Sequence, residues 1–204
     1  MKKFTLIELL LVVALIGILT TLLMPSISKA RSKARQQVCL SNQRQVHLAT
    51  TAYMVEENRY GPRSYSKSNK WISRLKYSYI NDEAFVCPEG TPLPYTNSTH
   101  IAMNNYISGK HDSTTGASIV EPKPLLTGTP NETCLLTDSY KTWSGVFYWS
   151  MTDARILDPN LQDRKARHDL KANITYLDGH SISVSAAFLK SKSSKEDTFW
   201  DPEQ

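Results

Sequence analysis

Cysteine is scarce in this chain: 204 residues contain three, Cys39, Cys87 and Cys134. A fold stapled by several disulfides is therefore excluded, and an odd count allows one bridge with one thiol left over. No CxxC pair occurs, so the spacing gives no signal of a structural zinc site. Acid is missing from the beginning of the chain. Residues 1–44 contain seven Lys or Arg and a single acid, Glu8, whereas residues 45–204 hold 17 Lys or Arg and 18 Asp or Glu. The formal charge of +5 and the pI of 9.0 thus describe an N-terminal arm, and the near-neutral remainder is not a nucleic-acid-binding surface. From Leu9 to Ser28 there is no charged residue at all.

That uncharged run organises everything else. It is built almost wholly from Leu, Val, Ile, Ala, Gly, Thr and Met, and roughly 20 such residues cross the hydrocarbon core of a bilayer. A secretory signal cleaved near Ala30 is the competing expectation. The run is longer than the usual signal core of about 7–15 residues, carries Glu8 at its start, and does not end the helical pattern. Beyond it, Ile27, Ala30, Ala34, Val38, Cys39, Ala49, Ala52 and Tyr53 recur at three- and four-residue steps between Lys29, Arg31, Lys33, Arg35 and Arg44. This periodicity predicts an amphipathic continuation. A single helix over Phe4–Val55 would be about 75–80 Å long, with a kink expected at Pro25. A carboxylate at membrane depth costs several kcal/mol unless paired, which marks Glu8 as a functional candidate.

The string Lys3-Phe4-Thr5-Leu6-Ile7-Glu8-Leu9-Leu10 before the apolar run resembles the N-terminus of type IV prepilins and type II secretion pseudopilins. The resemblance implies cleavage between Lys3 and Phe4 by an inner-membrane prepilin peptidase and methylation of the new Phe4 amine. It also implies a filament-assembly role for Glu8. The cost of burying the carboxylate points independently to a positive partner, and after cleavage the Phe4 amine of a neighbouring subunit would supply it; the competing expectation is that Glu8 snorkels to the headgroups from its place near the helix start. The chain departs from the family at Lys3, where the family has Gly. The four basic residues after the run would, by the positive-inside count, put the C-terminal body in the cytoplasm. The resemblance implies the opposite side, and that is the expectation adopted.

Along the remainder, Glu56 to Pro62 should end the helix, and residues 69–80 place Trp71, Ile72, Leu75 and Tyr79 on one face of a short helix. An extended piece is expected at Ala84–Pro88, and strands at Ile101–Ile107, Thr133–Thr137 and Val146–Trp149. Residues 108–131 lack periodicity and suggest a surface excursion. Near the end, a three-residue turn Leu177-Asp178-Gly179 opposes Ala172 with Val184, Ile174 with Ile182 and Tyr176 with His180, leaving Asn173, Thr175, Ser181 and Ser183 on the other face. A two-residue turn would mix the faces, so the pattern selects the three-residue register, with Gly179 in the left-handed position.

His168, nine residues, then Asp178-Gly179 is similar to the His-x9-Asp-Gly signature of a prepilin-like subfamily. Cys39–Gln45 and Phe85–Pro88 also resemble its recurrent stretches, and on that resemblance Cys39 and Cys87 are the favoured disulfide pair. For His168, Asp178 and Gly179 the expected role is structural: a turn, with His168 hydrogen-bonded to backbone beside it. Metal ligation by His168, Asp178 and His180 is the less favoured reading, and no Asp/Asn-rich calcium string is present. A Cys–His hydrolase built on Cys87 or Cys134 with His168 and Asp138 or Asp178 would need an activated thiolate, which nothing in the sequence indicates. Trp71, Trp143, Tyr148 and Trp149 read as core before they read as a ligand face.

The expected architecture is α+β and pilin-like, a long N-terminal helix packed on an antiparallel sheet. Its expected parts are a leader and transmembrane segment (1–28), an amphipathic continuation (29–56), a head (57–189) and a polar tail (190–204). The expected function is that of a non-enzymatic filament subunit, without cofactor or metal. It would sit as a single-pass protein of the bacterial inner membrane with its head outside the cytoplasm. Its partners would be copies of itself or other pseudopilins, the prepilin peptidase, an inner-membrane assembly platform and lipid. The alternative is a membrane-anchored binding module that never polymerises.

Overall fold

The computed structural model describes residues 5–57, 61–62, 71–76, 78–90, 99–104, 107, 110–111, 118–120, 129–138, 168 and 171–192. Helix α1 (Leu6–Glu56) is 51 residues long and begins on Thr5. Thr5 accepts from the backbone N–H of Glu8 while the Glu8 carboxylate accepts from the backbone N–H of Thr5, a reciprocal capping box. The helix runs unbroken through Pro25. Every large apolar side chain from Leu6 to Ile27 is exposed. The hydroxyls of this stretch bond back to their own helix, Thr20 to the carbonyls of Ile16 and Gly17 and Thr21 to that of Ile18.

The second half of α1 is the spine of the head. Its buried stripe is Cys39, Leu40, Gln43, Val46, His47, Ala49, Thr50, Tyr53 and Met54. The expected stripe is corrected here: Ile27, Ala30, Ala34, Val38 and Ala52 are exposed. Polar Gln43, His47 and Thr50 take the inner positions because the surface they meet is itself polar.

A four-stranded antiparallel sheet follows, in the order β1 (Ile101–Met103), β4 (Cys134–Asp138), β5 (Lys171–Tyr176), β6 (Ser181–Ser185). The short pair β2 (Lys110–His111) and β3 (Ser118–Val120) forms a separate ribbon, so residues 108–131 are not wholly without regular structure. The β5–β6 register is Ala172 with Val184, Ile174 with Ile182 and Thr175 with Ser181, as the alternation requires. Gly179 has φ +92°, the left-handed conformation that glycine adopts without steric cost. Leu135 is an extra residue in β4, since Cys134 pairs with Tyr176 and Leu136 with Thr175.

Two apolar clusters make up the core. The larger joins Val46, Tyr53 and Met54 of α1 to α2 (Trp71–Lys76), Phe85, β1 and β4. The smaller joins Ala172, Ile174, Tyr176 and Val184 to Leu189 of a short helix α3 (Ala186–Ser191). The apolar face of the β5–β6 hairpin therefore meets α3, a helix absent from the sequence-based expectations that crosses the expected boundary between head (57–189) and polar tail (190–204). The hairpin's polar face meets α1.

Three further expectations are corrected. Residues Asp82–Phe85 form a 3-10 turn, which sinks Phe85 into the core against Trp71 at a ring separation of 5.7 Å, rather than an extended piece. Strand β1 stops at Met103, where buried Asn104 turns its amide to the carbonyl of Cys134 (2.8 Å). Helix α2 ends at Lys76 rather than Ile80. The expected strand Val146–Trp149 lies outside the described residues.

Candidate functional site

The chain offers two candidate sites, the head of α1 and a buried cluster where α1 meets the sheet. At the first, Glu8 sits on the third residue of the helix. Its Oε2 accepts from Thr5 N–H at 2.9 Å and from Thr5 Oγ1–H at 2.8 Å. The carboxylate therefore already has intrachain donors. Lys3 and Phe4, the expected processing point, lie outside the described residues.

The second site begins with Gln43, fully buried on α1. Its amide donates to Asp138 Oδ1 (2.9 Å) and to the carbonyl of Asn173 (3.2 Å), and its carbonyl oxygen accepts from Thr175 Oγ1 (3.0 Å). Asp138 Oδ2 accepts from the backbone N–H of Asn173 (2.7 Å). A buried carboxylate is tolerated only with such partners. One turn earlier on α1, Cys39 is joined to Cys87 in a disulfide with Cα atoms 5.2 Å apart. Cys87 opens a tight turn, Cys87-Pro88-Glu89-Gly90, closed by Gly90 N–H to Cys87 O at 2.8 Å. Pro88 pre-sets the turn. Gly90 is required because a Cβ there would stand 2.3 Å from the ring of His100, whose Nδ1 accepts from Cys87 N–H.

His168 completes the cluster. It is buried, with φ +60°, a left-handed conformation that costs a non-glycine residue about 1–2 kcal/mol. Its Nε2 lies 3.5 Å from Cys87 Sγ and 3.5 Å from Asp138 Oδ2. Its Nδ1 lies 2.7 Å from Glu89 Oε2, a close contact outside hydrogen-bond angles. The same Glu89 oxygen accepts from the backbone N–H of His168 (3.2 Å), and its other oxygen accepts from Ser32 of α1 (2.7 Å). The expected placement of His168 beside the hairpin turn is thus corrected. Its partners are the Cys87–Glu89 turn and Asp138, several residues up the sheet from Gly179.

The turn is held by other means. Asp178 Oδ1 accepts from His180 N–H (3.0 Å) and contacts His180 Nδ1 (2.6 Å), and the His180 ring stacks on Tyr176 at 4.0 Å. His47 of α1 bonds the carbonyl of Leu177 (3.0 Å), and its ring lies 2.9 Å from where a Gly179 Cβ would sit. The turn at Gly179 therefore meets His47 of α1, while His168 meets the Cys87–Glu89 turn and Asp138, two separate contacts. Metal ligation by His168 together with Asp178 and His180 finds no common point.

For a Cys–His pair, the sulfur of Cys87 is already bonded to Cys39. The free thiol, Cys134, is pushed well above the ordinary thiol range by burial, away from the thiolate a nucleophile needs. Trp71 belongs to the core; Trp143, Tyr148 and Trp149 lie outside the described residues. An open hollow of about 900 Å³ beside α1 is lined by Val38, Asn42, Tyr79 and Pro88 among others, and includes none of Cys39, Gln43, Cys87, Glu89, Asp138 and His168.

Sequence reasoning missed Thr5, Gln43 and Glu89. The Thr-x-x-Glu capping pattern was there to be read. Gln43 and Glu89 left no local signal, since their partners come from residues more than fifty positions away. No family model matches the chain, and neither a curated protein nor a solved structure matches it significantly. The fold itself defines a coarse class: an α+β chain with one long N-terminal helix, apolar enough over its first half to cross a bilayer, and a C-terminal four-stranded antiparallel sheet.

Proposed function

We propose that this chain is a non-enzymatic structural subunit of a type II secretion pseudopilus or type IV pilus-like filament. It is held in the inner membrane by the first half of α1 before assembly, with its head outside the cytoplasm. The observation that carries the reading is the division of α1 into an apolar half without internal partners and a half that is the spine of a folded head. Covering the fifteen exposed large side chains between Leu6 and Ile27, at roughly 1.5–3 kcal/mol each, is worth on the order of 20–40 kcal/mol. Lipid supplies that cover, and so does a bundle of like helices. Passage from one to the other loses little burial, and the back-bonded Thr20 and Thr21 hydroxyls demand no polar partner in either setting. The string from Lys3 to Leu10 supports the pilin-type assignment through its resemblance to prepilins.

In this reading Glu8 exchanges its Thr5 donors for the Phe4 amine of a neighbour. Glu8→Gln tests this, because glutamine also serves in a capping box but carries no charge. Filament incorporation, read by crosslinking between α1 helices in native membranes, should fall at least tenfold in Glu8→Gln. Unchanged incorporation would overturn the assembly role. N-terminal sequencing of the native protein reads the processing step: a methylated Phe4 is expected, and a retained Lys2 or Lys3 would sink it. The alternative, an anchored binding module that does not polymerise, is favoured by one observation, the intrachain satisfaction of Glu8 by Thr5. It predicts no crosslinks in wild type or variant.

A further inference from the structure

Three side chains from distant parts of the chain point their soft or nitrogen donors at one another: Cys39 of α1, Cys87 of the turn before β1, and His168 before β5. Their ligand atoms all lie within 4.8 Å of one another and all three residues are buried. We propose that this is a two-state site, closed by the Cys39–Cys87 disulfide when oxidised and by a zinc ion bound to Cys39 Sγ, Cys87 Sγ and His168 Nε2 when reduced.

The distances fit zinc. Bond lengths of about 2.3 Å to sulfur and about 2.0–2.1 Å to nitrogen or oxygen put the edges of a tetrahedron near 3.5 Å for N···S and near 3.4 Å for N···O. His168 Nε2 stands 3.5 Å from Cys87 Sγ and 3.5 Å from Asp138 Oδ2, so the fourth corner faces the Asp138 carboxylate. The surroundings fit as well. A metal-bound histidine ordinarily offers its other ring nitrogen to a carboxylate, and His168 Nδ1 is 2.7 Å from Glu89 Oε2. Glu89 is itself fixed by Ser32 and by the His168 backbone N–H. The left-handed backbone at His168 is the kind of local strain that accumulates at ligand clamps. Two thiolates and an imidazole select zinc over hard cations.

The chemistry balances with a dithiol as reductant. The dithiol becomes a disulfide and passes two electrons and two protons to the Cys39–Cys87 bond, giving two thiols. Zinc then displaces those two protons, forming two Zn–S bonds and one Zn–N bond.

The test uses the full chain in detergent, oxidised or reduced with a phosphine under nitrogen, titrated with zinc against a chromophoric chelator. The reduced chain should bind one zinc ion per chain at least a hundredfold more tightly than the oxidised chain. Bound zinc should protect Cys39 and Cys87 from alkylation while leaving the rate at Cys134 unchanged. His168→Gln should weaken binding to the reduced chain at least a hundredfold, and Glu89→Gln, a positioning residue, should weaken it by a smaller factor of about ten. Equal affinity in the two redox states would overturn the proposal. So would unaltered affinity in His168→Gln, or a reduced chain that unfolds and is not restored by zinc. The oxidised–reduced comparison on the wild-type chain needs no substitution to fold.

Discussion

The two halves of α1 share one helix and differ in nearly everything else. From Leu6 to Ile27 each large apolar side chain is exposed and the hydroxyls of Thr20 and Thr21 turn back onto the helix. From Cys39 to Met54 the helix buries a stripe that is partly polar, with Gln43, His47 and Thr50 beside Val46 and Met54. Hydrophobicity is thus highest where the helix is exposed and lower where it is most enclosed. The first half is dressed for an apolar medium. The second half is matched to particular partners, and its polar groups specify where the sheet docks.

The comparison breaks most visibly at the covalent tie. Opening the Cys39–Cys87 disulfide, which closes a span of 48 residues, should lower the stability of the head by about 4 kcal/mol in metal-free solution. Urea denaturation of reduced and oxidised chain checks this. Next comes Gln43→Leu, which removes donors from Asp138 and the Asn173 carbonyl and an acceptor from Thr175. A loss of about 3–4 kcal/mol is expected, most of it from the buried Asp138 carboxylate losing the donor on its Oδ1. Met54→Ala, in the large apolar cluster, should cost about 3 kcal/mol. Leu10→Ala in the first half should change head stability by less than about 0.5 kcal/mol. Equal effects of those two substitutions would erase the distinction between the halves. Gly179→Ala should cost about 2 kcal/mol, from its φ of +92° and the His47 ring at 2.9 Å.

Alkali gives the gentlest separation. Burial, with Cys134 and Asp178 nearby, pushes the Tyr176 hydroxyl up to about 12. A raised acid favours the neutral, folded form. Its contribution is fully present below pH 10, the ordinary tyrosine value, and is lost as pH rises from 10 to 12. Tyrosinate absorbance and head unfolding should move together in that window. Residues 6–28 hold no group that titrates there, so the helical signal of the first half should not change.

How much of this was readable beforehand depended on the range of the interaction. The hairpin was legible down to its register, because period-two alternation and one Asp-Gly turn are local. The long helix was legible because an uncharged run and a three-to-four periodicity are local too. The face that α1 buries was not. Val38 looks like a better core residue than Gln43, yet Val38 is exposed and Gln43 is fully buried. The choice rests on Asp138, Asn173 and Thr175, which lie 95 to 132 positions away. The role of His168 was misjudged for the same reason. The motif spacing ties it to Asp178 in sequence, whereas folding sends it to Cys87, Glu89 and Asp138.

The sequence by itself determined the long helix with its apolar first half, the capping residue that begins it, and the paired strands that end the head. Each follows from short-range propensity or from the cost of exposing apolar surface, which any reader of the residues can assess. Only the tertiary structure decided which stripe of α1 is inside, that the hairpin turns its polar face to that helix and its apolar face to α3, and that two cysteines and a histidine converge. Those outcomes depend on buried polar groups finding donors across the fold. A buried carboxylate such as Asp138 needs specific partners far more than a leucine does, and sequence distance carries no record of where they come from.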